Sequence, residues 1–253
     1  MLNTDAIVPH QLTLKDRFNF RCYPGISCYK SCCKNIDIML TPYDILRIKK
    51  RLNLTSREFL MNYTYTFIEP KSGYPFVFLN KNSDEEKTCP FLYEAGCIIY
   101  EDRPASCRYY PIGQASLKRF DFSVGITDEY YFFIREPHCQ GFKEDKEWSI
   151  EDWRIDQGVD LYDDINRGWR ELFFTKNLPG QKLDEMKQKA FYMCCYNLDA
   201  FRNFVFESRF LKVFDIPEER VEKMKNDEVE LLKFGFDYMK YLLMIKETLK
   251  LKS

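Results

Sequence analysis

Two histidines are all that 253 residues contain, and no serine stands in a glycine-flanked nucleophile elbow, so a Ser–His–acid hydrolytic triad has no parts to work with. No glycine-rich phosphate loop is present. Basic and acidic residues number 38 and 39, a formal net charge of −1, so the chain lacks the positive excess on which nucleic-acid affinity rests. No apolar run approaches the length of a membrane span. The opening MLNTDAIVPHQLTLKD has no basic segment followed by an apolar stretch, so it does not read as a secretory signal, and a reducing, cytoplasmic setting is expected. Internal repeats and low-complexity segments are also missing.

What is present suits a globular chain, with 45% hydrophobic and 30% charged residues in a length that makes one large domain or two small ones. The 17% of aromatic residues read as core packing. Residues 1–40 look irregular. Thr41, Pro42 and Asp44 form a helix start with a capping box, and Thr55 with Glu58 repeats it. YPFVFLN (74–80) is a strand pattern, and FDFSVGI (120–126) with YYFFIRE (130–136) predicts a hairpin turning at Thr127–Glu129. From Ser149 the pattern turns helical: one helix from the Ser149/Asp152 box to Phe173 or Phe174, a break at Leu178–Pro179–Gly180, a helix over 182–208, and a last helical region from Asp215 to about 250. The lysines of 246–252 read as a solvated helix end. The expected fold class is α+β: a cysteine-rich N-terminal lobe (1–145) with short helices and a small antiparallel sheet, and a helical lobe over 146–253.

Eight of the ten cysteines fall in the first 140 residues, among Pro, Gly and basic residues: Cys22, Cys28, Cys32, Cys33, Cys89, Cys97, Cys107 and Cys139. In a reducing compartment so many thiols argue for metal or catalysis over disulfides. Thiolate is a soft ligand that suits zinc, iron–sulfur or Cu(I), and four thiolates satisfy either one zinc or one 4Fe–4S cluster. Eight serve two sites, or one site with spare thiols. Cys32 and Cys33 are adjacent, so their side chains are expected to diverge towards different sites or different irons.

Spacing narrows the choice. No two cysteines have the two-residue separation of a zinc knuckle, and the ferredoxin run is absent. Cys28 and Cys32 match the first two ligands of radical S-adenosylmethionine enzymes, but Asn35 stands where the third belongs. A four-thiolate site carries net negative charge, and Arg21, Lys30, Lys34, Arg103 and Arg108 are the nearby cations that would hold it. Arg103 and Arg108 are also the candidates to bind a cofactor or an anionic substrate beside the metal. His138, next to Cys139, reads as a surface or hydrogen-bonded histidine. Cys194 and Cys195, in FYMCCYN, read as buried helix core.

The order of these motifs is itself distinctive. An N-terminal cluster ending in CC, then CPFL, then C-x-I-Y-x-x-R-P-x-x-C-R-x-x-P and a final C-x-G resembles the YkgJ-like cysteine-cluster family, whose members are described as zinc- or iron-chelating. The resemblance rests on Cys28, Cys32, Cys33, Cys89, Cys97, Arg103, Pro104, Cys107, Arg108, Pro111 and Cys139, and covers roughly residues 20–142. Five residues separate Cys22 from Cys28 and three separate Cys28 from Cys32, more than the family's first motif has. More distantly the cluster is similar to that of flagellin lysine-N-methylase, which points to an iron–sulfur centre. The sequence shows no S-adenosylmethionine fold signature.

The resemblance and the residues together imply a cysteine-ligated metal protein, with a 4Fe–4S cluster favoured over zinc, acting in redox, metal handling or redox-linked modification of a protein partner. A zinc-stapled interaction module without catalysis is the alternative of a different class. A protein-modifying methyltransferase is the third.

Overall fold

In the computed structural model, which describes residues 6–118, 127–174 and 182–252, helices alternate with short antiparallel strands in an α+β fold. The first elements are β1 (Arg17–Asn19), β2 (Met39–Leu40), α1 (Pro42–Arg51), α2 (Ser56–Tyr63), β3 (Thr64–Ile68) and β4 (Pro75–Leu79). The tight pair β5 (Leu92–Tyr93) and β6 (Gly96–Cys97) precedes α3 (Ala105–Tyr109), β7 (Ile112–Lys118) and β8 (Thr127–Phe133). Then come β9 (Glu147–Ser149), α4 (Ile150–Gln157) and α5 (Val159–Phe174). The rest is helical: α6 (Glu185–Cys195), α7 (Leu198–Glu207), α8 (Phe210–Val213), α9 (Glu218–Asn226) and α10 (Glu228–Leu242).

These elements form two compact units, each built from two separated stretches of chain. The first comprises the described parts of Met1–Ile38 and Lys81–Leu161. Its core gathers Phe18 and Phe20 from the β1 region, Tyr109 and Ile112 around α3 and β7, and Ile150 and Trp153 from α4. Aromatic edges fix the geometry: the Phe20 ring meets those of Phe142 and Trp153 at 5.2 and 5.5 Å. β7 pairs antiparallel with β8, from Ile112 opposite Phe133 to Lys118 opposite Thr127, and β1 pairs with β9. The Trp153 indole donates to the Tyr109 carbonyl at 3.1 Å, which seats α4 on α3.

The second unit comprises Met39–Asn80 and the described part of Tyr162–Ser253. Its sheet has the order β2–β4–β3, antiparallel throughout, and Leu40, Val77 and Leu79 are buried. α10 buries Leu231, Leu232 and Phe234, and Gly235 lets it approach α6: a Cβ there would lie 2.7 Å from the Cys194 carbonyl oxygen. Lys49 is buried and paired with Glu228 at 2.6 Å and Asp199 at 3.3 Å. Both threonine capping boxes form, at Thr41 with Asp44 and at Thr55 with Glu58.

Several expectations need correction. The helix from Ser149 to Phe174 is two helices. Gly158 adopts φ 63°, left-handed, and its N–H closes on the Arg154 and Ile155 carbonyls, ending α4 before α5 begins. The helix over 182–208 is likewise split, because Asn197 caps a fresh start by accepting from the Ala200 amide. The last region contains α9 and α10, divided where Asp227 accepts from the Val229 amide. Lys246–Lys252 is not a helix end: Leu249 is buried, Leu251 bridges to Phe214, and the Lys252 N–H reaches the Val213 carbonyl. The turn expected at Thr127–Glu129 is strand, since these residues pair with Ser116–Lys118 in the β7–β8 ladder. The expected strand at 120–126 and the break at Leu178–Gly180 lie outside the described residues.

Candidate metal centre

All eight loop cysteines belong to the first unit. Cys28 lies in the turns after β1, and Cys32 and Cys33 stand on one 3-10 turn, Ser31–Cys33. Cys89 and Cys97 flank the β5–β6 pair, Leu92 lying opposite Cys97. Cys107 is in α3, and Cys139 follows β8. Cys22 is exposed and the other seven are half-buried.

Four of the thiols meet. Cys22, Cys28, Cys32 and Cys139 line one cavity of about 20 Å³ with Phe20, Tyr110, His138 and Gly141, space for a single water-sized body. On the other side of Cys32, the Cys89 amide donates to the Cys33 carbonyl at 2.8 Å, and Cys97 lies close enough to Cys89 to raise its thiol pKa. Within the tight turn the adjoining Cys33, then burial, hold the Cys32 proton well above the ordinary thiol range.

The electrostatics follow from packing sulfurs together out of water. Although Cys22 is exposed as a residue, partial burial of its sulfur, then neighbouring Cys32, Cys28 and Cys139, push its thiol up to about 11. Burial pushes Cys89 up to about 11 as well, against the pull of the Phe91 and Leu92 amides. Burial also raises Cys97 and Cys139, opposed at Cys97 by the Ile99 amide and Arg103, and at Cys139 by Tyr110 and the Gly141 amide. Backbone amides thus aim at sulfur repeatedly, and the Gln140 N–H donates to Cys28 Sγ at 3.2 Å.

The arginines flanking Cys107 are engaged with the protein. Arg108 donates from Nε to the Arg103 carbonyl at 3.2 Å, from Nη1 to the Gln157 carbonyl at 2.7 Å, and from Nη2 to the Glu101 carbonyl. Arg103 donates to the Tyr100 carbonyl at 2.6 Å and to the Gln157 side chain, and stacks 4.0 Å from the Tyr100 ring centre. Further out, Lys30 donates to the Glu94 carbonyl at 2.8 Å, Lys34 pairs with Glu86 at 2.6 Å, and Arg21 lies over Tyr23.

Two participants were not legible in the sequence. Tyr110 Oη and Glu136 Oε2 are buried without an aligned hydrogen-bond partner, although Glu136 Oε2 lies 3.2 Å from His138 Nε2. Burial, then the neighbouring Cys139, hold the Tyr110 hydroxyl proton far above the usual phenol range. A tyrosine in so aromatic a chain reads as core, and only the fold reveals that its hydroxyl faces thiols.

Residues 21–144 match the model of the CxxCxxCC family, described as a putative zinc- or iron-chelating domain. Over those residues, just under half of its length, the chain is similar to that family. No curated protein and no solved structure matches the chain. The match takes in all eight loop cysteines, and zinc and iron are metals that thiolates suit. Among the described residues, no group of three or more His, Cys, Asp or Glu side chains is arranged to hold an ion as it stands.

The donor chemistry of residues 21–144 nevertheless fits thiolate ligation. Thiols that hold their protons tightly when crowded together give them up to a cation that offsets the crowded charge. The amides at Cys28, Cys89, Cys97 and Cys139 are the donors a metal-bound thiolate needs. Tyr110 Oη is an orphaned donor beside Cys139.

Proposed function

We propose that residues 21–144 form a thiolate-ligated centre that carries a 4Fe–4S cluster in preference to zinc. It works in the cytoplasm in electron transfer, metal handling or redox-linked modification of a protein partner. Cys22, Cys28, Cys32, Cys33, Cys89, Cys97, Cys107 and Cys139 are the ligands. The observation that carries the thiolate-ligated part of this reading is the convergence of Cys22, Cys28, Cys32 and Cys139 on one cavity, with Cys32 also close to Cys33, Cys89 and Cys97. Iron–sulfur is favoured because the cysteines lack the two-residue spacing of a zinc knuckle.

A cluster of this kind supplies one-electron chemistry at a potential set by its charge, its hydrogen bonds and its exposure. The protein's part is to hold and to bias. The amides directed at Cys28, Cys89, Cys97 and Cys139 stabilise charge on sulfur, and Tyr110 Oη adds a donor at Cys139. Arg103 brings a positive charge near Cys97 and Cys107. Arg108 fixes the short helix that bears Cys107 through three carbonyls.

The test is elemental analysis with an absorption spectrum on protein purified without oxygen. Iron with acid-labile sulfide and a broad visible band is the expected result. A colourless protein that holds stoichiometric zinc even after iron-supplemented expression and cluster reconstitution overturns the iron–sulfur assignment and leaves a zinc-stapled interaction module.

A further inference from the structure

We infer that Cys28 and Cys139 form a reversible disulfide when the chain is free of metal and meets hydrogen peroxide, and that this bond closes the site to metal until a dithiol reopens it. The bond itself stands on the geometry of the two residues. Its effect on loading rests on the metal-binding reading above.

The two thiols come from stretches far apart in sequence, and the fold has already laid one stretch on the other. The Arg21 amide donates to the Gly141 carbonyl at 3.1 Å, and the Phe20 amide to the Lys146 carbonyl at 2.9 Å. The Trp148 indole donates to the Phe20 carbonyl at 2.9 Å. A Cβ at Gly141 would lie 2.6 Å from the Phe20 ring, so the two stretches approach as closely as a glycine allows.

Within that contact one hydrogen bond reaches a sulfur. The amide of Gln140, the residue after Cys139, donates to Cys28 Sγ at 3.2 Å. Its nitrogen is two bonds from Cys139 Cα, so standard bond lengths place Cys28 Sγ within about 6 Å of that Cα. Rotation of the two side chains then brings sulfur to sulfur without moving backbone. Both thiols line the same cavity of about 20 Å³, so no layer of solvent separates its walls. Exposed Cys22 and His138 are part of that wall, which gives a small oxidant a way in.

One sulfur attacks the peroxide and its proton passes to the departing oxygen: the O–O bond breaks, a sulfenic acid forms and water leaves. The other sulfur attacks the sulfenic sulfur; the S–S bond forms, and the hydroxyl leaves with the second thiol proton as water. The two thiols give up two electrons and two protons, and the peroxide takes them up to become two waters. Metal ligation needs both sulfurs as thiolates, and a disulfide offers neither. In a reducing compartment disulfides are transient and redox-sensing, which suits a bond that a dithiol opens again.

The test uses the full chain, stripped of metal by chelator without oxygen and then given one equivalent of hydrogen peroxide. Peptide mapping without reductant is expected to find Cys28 joined to Cys139. Uptake of iron and zinc is expected to be lost with the link and restored by dithiothreitol. Free thiols throughout, or other pairs in the majority, overturn the inference, and so does a linked chain that still loads metal in full. Where the stripped chain unfolds, the loaded chain answers: excess peroxide is expected to give the same link as metal leaves, and a different first link overturns the inference. A Cys28–Cys139 link in a chain that takes up no metal even when reduced overturns the metal-binding reading and leaves the disulfide standing.

Discussion

The dipeptide Cys-Cys occurs twice in this chain, and the two copies live in opposite surroundings. Cys32–Cys33 stands half-buried on a 3-10 turn, with other sulfurs close by. Cys194–Cys195 closes α6 with exposures of 0% and 1%, and Gly235 of α10 lies against the Cys194 carbonyl. Burial holds both protons of the second pair well above the ordinary thiol range. A thiol buried among carbon is a small hydrophobe; a thiol buried among other thiols and amide donors is a ligand waiting for charge. What separates the copies is polar company and the partial exposure of the first pair.

The comparison breaks most visibly at the metal. Cys107→Ser is expected to lower metal content and the melting temperature, because apparent binding free energies at structural zinc–thiolate sites reach about 10–16 kcal/mol. Cys194→Ala is expected to keep full metal content and lose only packing. Elemental analysis beside thermal melts separates the two, and equal metal loss from both variants would erase the distinction.

Gly235→Ala sharpens the other side. The added methyl meets the Cys194 carbonyl, backbone that cannot swing away, so about 1–3 kcal/mol of destabilisation is expected in urea melts, with metal content unchanged.

A shallower effect is expected in alkali. Cys22 and Cys89 hold their protons up to about 11 when folded, against an ordinary 9.0, so the unfolded chain ionises first. The metal-free protein therefore loses stability as pH rises from about 9 towards 11. Metal loading, which has already taken those protons, should flatten this slope; urea midpoints measured across that range with and without metal check it.

The smallest change is Thr55→Ala, which removes the cap that accepts from Glu58 and should cost about 1 kcal/mol without touching metal content.

The sequence carried local structure better than convergence. Thr41, Thr55 and the strand at Pro75–Leu79 were legible because a cap or a short apolar run needs only its neighbours. The helix breaks at Gly158 and Asn197 were not, because helical apolar spacing resumes immediately after each and one residue suffices to turn the chain. At the site, the cysteines announced themselves by number and loop setting. Their grouping did not, because the cavity wall is assembled from the Cys22–Cys32 and Tyr110–Gly141 stretches, whose meeting depends on the Phe20 packing.

Arg108 gives the centre a mechanical property. Its guanidinium reaches the carbonyls of Glu101 and Arg103 on one side and of Gln157, the last residue of α4, on the other. A lysine has one nitrogen and no flat fork, so it cannot span those three acceptors at once. The strap closes a loop of chain without using a single sulfur, so the cysteine next to it is staked in place whether or not an ion has arrived. An ion lost to oxidation or competition would leave behind a standing frame, and refilling it would be a matter of entry and proton release rather than of folding afresh.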